Sequence, residues 1–171
     1  MKILHTYSHD DCDKILASRT EENYKLLSRS KTKPKHLNDI KVNYGQPLDA
    51  TAWYLPKHHL FDDIKNRIET FENKELNIHL NGDNPVIQKY TIDSIVQPHR
   101  DSYHITSILL LNDEFEGGEL KVEGVDMKLK KGDLAIFYAS QQHWVEPLIS
   151  GNRYTLVTWF NYKNKNKNTL I

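Results

Sequence analysis

The chain has 171 residues, 38% of them hydrophobic, with 23 Lys plus Arg balanced by 23 Asp plus Glu. That length fits one domain with a real core, and the absence of a net field argues against a polyanionic partner, nucleic acid or anionic membrane alike. Cys12 is the single cysteine, which excludes an internal disulfide, a thiolate zinc finger and a cysteine-ligated iron–sulfur cluster.

Charged residues interrupt every apolar run near the start, so the sequence predicts neither a signal peptide nor a membrane span, and a soluble, cytoplasmic protein is expected. The stretch "YSHDDCDKILASRTEENYKLLSR" predicts one or two helices, with Ser8 as N-cap and acidic residues in the first turn. "NYGQPLDATAWYLP" carries Trp53 and Tyr54 and is the candidate lid over a site, the alternative being that the two aromatics belong to the core. "HHLFDDIKNRIETFEN" sets Leu60, Phe61, Ile64, Ile68 and Phe71 at helical spacing.

From about residue 76 the period changes to two. Leu120 and Val122 alternate with Glu119, Lys121 and Glu123, and Val125, Met127 and Leu129 alternate with Asp126, Lys128 and Lys130. Further strands are expected at 86–92, 104–111, 134–138, 143–148 and 153–160, with "NGDNP", "FEGGE", "VEGVD" and "KKGD" as turns. Gly117 and Gly118 read as turn or bulge residues, Phe115 and Tyr138 as core. A mostly antiparallel sandwich or barrel follows. The closing "KNKNKNTLI" reads as a flexible tail over 163–171.

Within "QPHRDSYHITSILLLN", His99 and Asp101 lie two apart, so on an extended strand both side chains project the same way. The spacing alone is weak, because His9 and Asp11 repeat it at a predicted helix start, where an acid serves the helix dipole. Downstream, "SQQHWVEPLISGNRYTLVTWF" supplies His143 and then Arg153, which shares a strand face with Thr155, Val157 and Trp159. Two imidazoles and one carboxylate on one face, with the opposite positions open, are the facial triad of non-haem Fe(II) oxygenases. An inward arginine is costly to bury unpaired, and its planar fork suits a carboxylate that arrives with a ligand. His104 reads as a strand start, and Trp144 as packing that faces away from the metal. A hydrogen-bonded His–Asp pair without metal is the bland alternative.

From Tyr90 to Phe160 the motifs "Y…PHRD…LLLN…FEGGEL…KKGDLAIF…HWVEPLISGNRYTLVTWF" resemble the Fe(II)/2-oxoglutarate-dependent dioxygenases of the prolyl 4-hydroxylase-like group. The resemblance implies a mostly β protein with flanking helices (α+β), a double-stranded β-helix (jelly roll, cupin-like barrel) with N-terminal helices packed outside. It implies Fe(II) on His99, Asp101 and His143, with the distal carboxylate of 2-oxoglutarate on Arg153 and Tyr90. Leu120, Val157 and Trp159 fall where the family lines that pocket, O2 is the oxidant, and ascorbate serves as reductant. Asp93 and Leu110 depart from the family, standing where relatives often have a glycine and a second pocket tyrosine. Asp101 implies hydroxylation rather than halogenation.

The expected unit is one dioxygenase domain over 1–162, with helical support over about 1–75 and the β-helix core over about 76–162. The expected reaction is hydroxylation of an unactivated C–H bond, foremost in a prolyl or peptidyl substrate and otherwise in a small molecule, with release of succinate and CO2. No nucleic acid or membrane partner is expected, and the sequence leaves the oligomeric state open. The rival readings are a cupin-like metalloprotein that does not use 2-oxoglutarate and a catalytically silent β-helix used as a binding module.

Overall fold

The computed structural model describes residues 2–20, 24–26, 51–54, 59–78, 85–94 and 96–163. The elements run β1 (Lys2–Thr6), α1 (His9–Ala17), β2 (Tyr24–Leu26), β3 (Thr51–Tyr54), α2 (His59–Glu72), β4 (Leu76–Ile78) and β5 (Val86–Tyr90). They continue with β6 (Val96–His99), β7 (Ile105–Leu110), β8 (Phe115–Gly117), β9 (Leu120–Val122), β10 (Val125–Met127), β11 (Asp133–Tyr138), β12 (His143–Val145), β13 (Leu148–Gly151) and β14 (Arg153–Tyr162).

The larger sheet has the order β1-β11-β7-β14-β5-β3-β2, and β4 pairs with the far end of β14. The smaller sheet is β10-β9-β12-β6, and β13 with β8 forms a separate ribbon. All pairings among the described residues are antiparallel. The two sheets face each other across an inner core that takes Val86, Ile108, Phe137 and Val157 from the larger sheet and Leu120, Val122 and Val145 from the smaller. The helices cover the outer face of the larger sheet through a second core, in which Cys12, Ile15, Ile64 and Ile68 meet Ile87, Leu109, Leu156 and Phe160. This is the layout expected of a double-stranded β-helix with external helices.

Strand β14 shows how one segment serves both cores. Its side chains alternate faces, so Val157 and Trp159 enter the inner core while Leu156 and Phe160 enter the outer one.

Ser8 caps α1 as predicted, its hydroxyl accepting from the Asp11 backbone N–H at 3.1 Å, and the His9/Asp11 pair belongs to that helix start. Several expectations are corrected. Among its described residues the N-terminal region contributes three strands as well as two helices. The helical reading fails at Tyr24–Leu26, which pairs with β3, because tertiary pairing outweighs the weak helix propensity of a short segment. Phe71, at the last turn of α2, is 45% exposed instead of buried, with the Lys2 ammonium over its ring. Val125 and Tyr138 are likewise exposed, at the ends of β10 and β11. Trp53 is half-buried, packs against the outer core and has the Arg19 guanidinium 5.2 Å from its ring, so it belongs to the wall rather than to a lid. The rest of the candidate lid, with the Tyr54 side chain, lies outside the described residues, as does the tail over 164–171. Among the described residues no helix is long and apolar enough to cross a membrane.

Candidate active site

His99 closes β6, His143 opens β12, and the two are paired across the ladder. Directly opposed residues of an antiparallel pair share a face, and here the imidazole centroids lie 4.2 Å apart. Nδ1 of His99 contacts the Gln97 carbonyl at 2.7 Å, and Nδ1 of His143 contacts the Gln141 carbonyl at 2.9 Å. A carbonyl only accepts, so each Nδ1 carries the proton and each Nε2 keeps its lone pair for a ligand.

Asp101 follows β6, and its backbone N–H donates to the Ala139 carbonyl at 2.9 Å. Its carboxylate places Oδ1 3.6 Å from His99 Nε2 and Oδ2 3.3 Å from His143 Nε2. One ligand atom from each of the three residues lies within 4.8 Å of the others. Adjacent ligands on a metal with bonds of 2.0–2.2 Å sit about 3 Å apart, so the carboxylate contacts are near that spacing and the cluster could hold one ion once its atoms draw together around it. Burial, then the charge of His143, pulls the His99 imidazole below its ordinary range, which favours the neutral ligand form. Burial alone would raise the Asp101 carboxyl, but the hydrogen bond and charge that His143 supplies when doubly protonated, the Thr106 hydroxyl and then His99 hold it below the usual carboxylate range.

Arg153 opens β14 directly across from Tyr90 on β5, and its guanidinium carbon lies 5.3 Å from the Tyr90 ring centroid. The side chain is 2% exposed, and among the described residues no carboxylate lies within ion-pair distance of it. Burial therefore pulls its pKa below the ordinary arginine value. Two residues along, the Thr155 hydroxyl is fully buried beside the Tyr90 hydroxyl, and among the described residues it makes no hydrogen bond of good geometry. A buried cation next to a buried hydroxyl with bonding capacity to spare fits the carboxylate end of an incoming ligand. Tyr90 is brought to the same place, but its hydroxyl donates to Gln88, so it must change partner to reach such a carboxylate.

A cleft of 770 Å³ reaches Arg153 between Leu110, Leu120, Met127 and Phe115, and none of the three metal-ligand candidates lines it. Gly118 leaves room for the arginine stem: its φ is +70°, and a Cβ there would meet Arg153 Cδ at 3.1 Å and Leu148 Cδ1 at 2.9 Å. Asn112 ties the end of β7 to the start of β14, donating to the Asn152 carbonyl and accepting from the Tyr154 N–H, both at 2.8 Å.

Leu120, Val157 and Trp159 all lie in the inner core. Trp159 does more than line it, since its indole N–H donates to Asp101 Oδ2 at 2.9 Å. Trp144 lies on the other face of β12 and donates to Glu146, while His104 is exposed and hydrogen-bonded to Asn161. Sequence reasoning missed Thr106, Gln88, Asn112 and the tie from Gly118 to Arg153. The available signal was a polar residue inside or at the end of an apolar strand, where a buried hydroxyl or amide needs a partner.

Residues 72–161, just over half the chain, match the family model described as the 2OG-Fe(II) oxygenase superfamily. A PKHD-type hydroxylase of Acinetobacter baylyi is 27% identical over 139 residues, covering 78% of this chain and 57% of the relative. A PKHD-type hydroxylase of a Synechococcus species is 38% identical over 64 residues, covering 35% of this chain and 29% of the relative. The chain thus spans well under two thirds of the curated relatives it matches. Among solved structures, the viral collagen prolyl hydroxylase of Paramecium bursaria Chlorella virus-1 superposes with a TM-score of 0.61 at 16% identity, covering 90% of this chain and 91% of that one. A Pseudomonas putida prolyl-4-hydroxylase superposes with a TM-score of 0.59 at 15% identity, covering 94% and 90%. These two likenesses carry the fold, and the family match carries the lineage: the chain belongs to the 2OG-Fe(II) oxygenase superfamily.

Proposed function

We propose that the protein is an Fe(II)- and 2-oxoglutarate-dependent dioxygenase that hydroxylates an unactivated C–H bond of a prolyl or peptidyl substrate. The observation that carries this reading is the pairing of a His–Asp–His cluster with a buried arginine that makes no ion pair among the described residues, on the inner face of one barrel. A cupin-like metalloprotein has no use for that arginine, and a silent binding module has no use for either. The prolyl or peptidyl substrate rests on the names of the relatives and structural neighbours alone.

In this reading His99 and His143 hold the metal through Nε2 and Asp101 through its carboxylate. Arg153 binds the distal carboxylate of the cosubstrate by a two-pronged, charge-assisted contact, while Leu120 and Val157 exclude water around its stem. Once bound, Fe(II), 2-oxoglutarate and O2 supply oxidative decarboxylation to succinate and CO2 together with insertion of one oxygen atom into the substrate. The chain's own share is positioning and a dry, preorganised site. Ascorbate would serve as reductant, the working unit is the domain over 1–162, and the compartment is cytoplasmic.

The test is succinate formation from 2-oxoglutarate by the full chain with Fe(II) and O2, run against a peptide library containing proline. Succinate that depends on iron and rises with one peptide class supports the reading. Metal uptake without any succinate would favour the cupin-like alternative.

A further inference from the structure

Asp101 is held by more than its place in the chain. Its Oδ2 accepts the Thr106 hydroxyl at 2.6 Å and the Trp159 indole N–H at 2.9 Å and lies 3.3 Å from His143 Nε2, whereas Oδ1 lies 3.6 Å from His99 Nε2. Thr106 and Trp159 are cross-strand partners on β7 and β14, so the two donors reach Asp101 from one rung of the larger sheet. Both are buried, at 1% and 9% exposure, so bulk water does not compete freely for the same oxygen. Two donors use the in-plane lone pairs of Oδ2 and leave those of Oδ1 available.

We infer that Thr106 and Trp159 are positioning residues that fix Asp101 as a ligand through one oxygen, and so keep the coordination positions beyond the three protein ligands free. Without the clamp, the carboxylate could rotate and offer both oxygens, occupying a position that a cosubstrate needs. Outer-shell hydrogen bonds to a metal-bound carboxylate commonly set both its orientation and its affinity. The inference rests on the metal centre proposed above, and the experiment separates the two.

Co(II) is titrated into the full, metal-free chain without cosubstrate, because its visible bands report the number and arrangement of ligands. Thr106→Val keeps shape and loses the donor, Trp159→Phe keeps a ring and loses the N–H, and Thr106→Ser keeps the hydroxyl. The expected result is a loss of Co(II) affinity of about tenfold or more in the Val and Phe variants, with altered visible bands, and recovery of both in Thr106→Ser. A role confined to packing would lower the melting temperature and leave the spectrum of the bound metal unchanged. If Thr106→Val does not fold, Trp159→Phe and Thr106→Ser carry the same comparison. Wild-type affinity and spectrum in the donor-less variants overturn the clamp alone, whereas a wild-type chain that takes up no Co(II) overturns the metal centre beneath it.

Discussion

His99 and His143 stand opposite each other across β6 and β12, and each turns the same ring nitrogen to the carbonyl of the residue two positions before it. The backbone therefore sets both tautomers, and no second carboxylate is needed to orient either ring. Two Nε2 lone pairs are aimed from one rung of a short sheet, so the candidate metal position is built largely from backbone geometry.

Removing one ligand should then abolish the site without unmaking the barrel. Asp101→Ala and His143→Ala are each expected to reduce Co(II) or Fe(II) affinity by more than the ~10–100-fold that loss of an outer-shell partner costs. Far-UV circular dichroism and a cooperative melt should persist. Unfolding of both variants, or metal affinity equal to wild type, would count against the assignment.

In the proposed reading, Arg153 separates cosubstrate binding from metal binding. Losing one partner of a buried charged pair costs about 2–5 kcal/mol, so Arg153→Leu is expected to weaken 2-oxoglutarate binding roughly thirtyfold or more. Arg153→Lys should keep part of the affinity, because the charge survives and the fork does not. The metal-free Leu variant should melt no lower than wild type, since a buried cation that makes no ion pair among the described residues is replaced by an apolar side chain. Anaerobic titration of the iron-loaded proteins checks the affinities, and unchanged affinity in Arg153→Leu would remove the cosubstrate assignment.

Gly118→Ala tests the same pocket from its wall. A positive φ costs a non-glycine residue about 1–2 kcal/mol, and the new methyl would press on Arg153 Cδ and Leu148. The expected outcome is a lower melting temperature together with weaker 2-oxoglutarate binding, Co(II) affinity being retained. A loss of stability with cosubstrate affinity untouched would mean that the arginine stem does not depend on this glycine.

Glu69 links α2 to β4 and makes stability depend on pH. One of its oxygens accepts from Lys65 Nζ at 2.6 Å and from the Leu76 backbone N–H at 2.7 Å. Burial would raise its pKa, but these partners outweigh it and hold the carboxyl below its ordinary value of 4.5. The folded protein thus binds fewer protons than the unfolded chain between the two values. Its contribution is present above 4.5 and is lost as pH falls through the lower, folded-state value. Glu69→Gln is expected to cost about 1 kcal/mol at neutral pH, or ~2–4 °C in Tm. That difference from wild type should shrink on acidification, and a pH-independent gap would show that the ionised form is not what matters.

Much of the barrel was legible because strands with one buried face carry their period openly. On β14 the odd positions Arg153, Thr155, Val157 and Trp159 share a face, as alternation requires, and the His–Asp spacing already places two ligand candidates together. What stayed hidden depends on distant pairing. Lys2–Thr6 and Tyr24–Leu26 are short strands whose identity comes from β11 and β3 rather than from their own residues. Phe71, Val125 and Tyr138 fit the local period but fall where the neighbouring element ends, so the pattern continues and the burial does not. Thr106 could be marked as a polar residue in an apolar run, yet only the register against Trp159 reveals which oxygen it serves.

The two faces of β14 also limit how this chain can vary. Substitutions at Thr155 or Val157 change what the barrel interior offers, and substitutions at Leu156 or Phe160 change how the helices dock, so chemistry and scaffold can drift separately along one segment. Insertions and deletions have no such freedom. A single added residue between Arg153 and Trp159 would turn every later side chain to the opposite face, sending the indole that reaches Asp101 toward the helices and an outer-core side chain into the barrel. Length variation among descendants of this sequence should therefore collect in the connections and spare β14, and a library built on it should randomise residues there while keeping their number fixed.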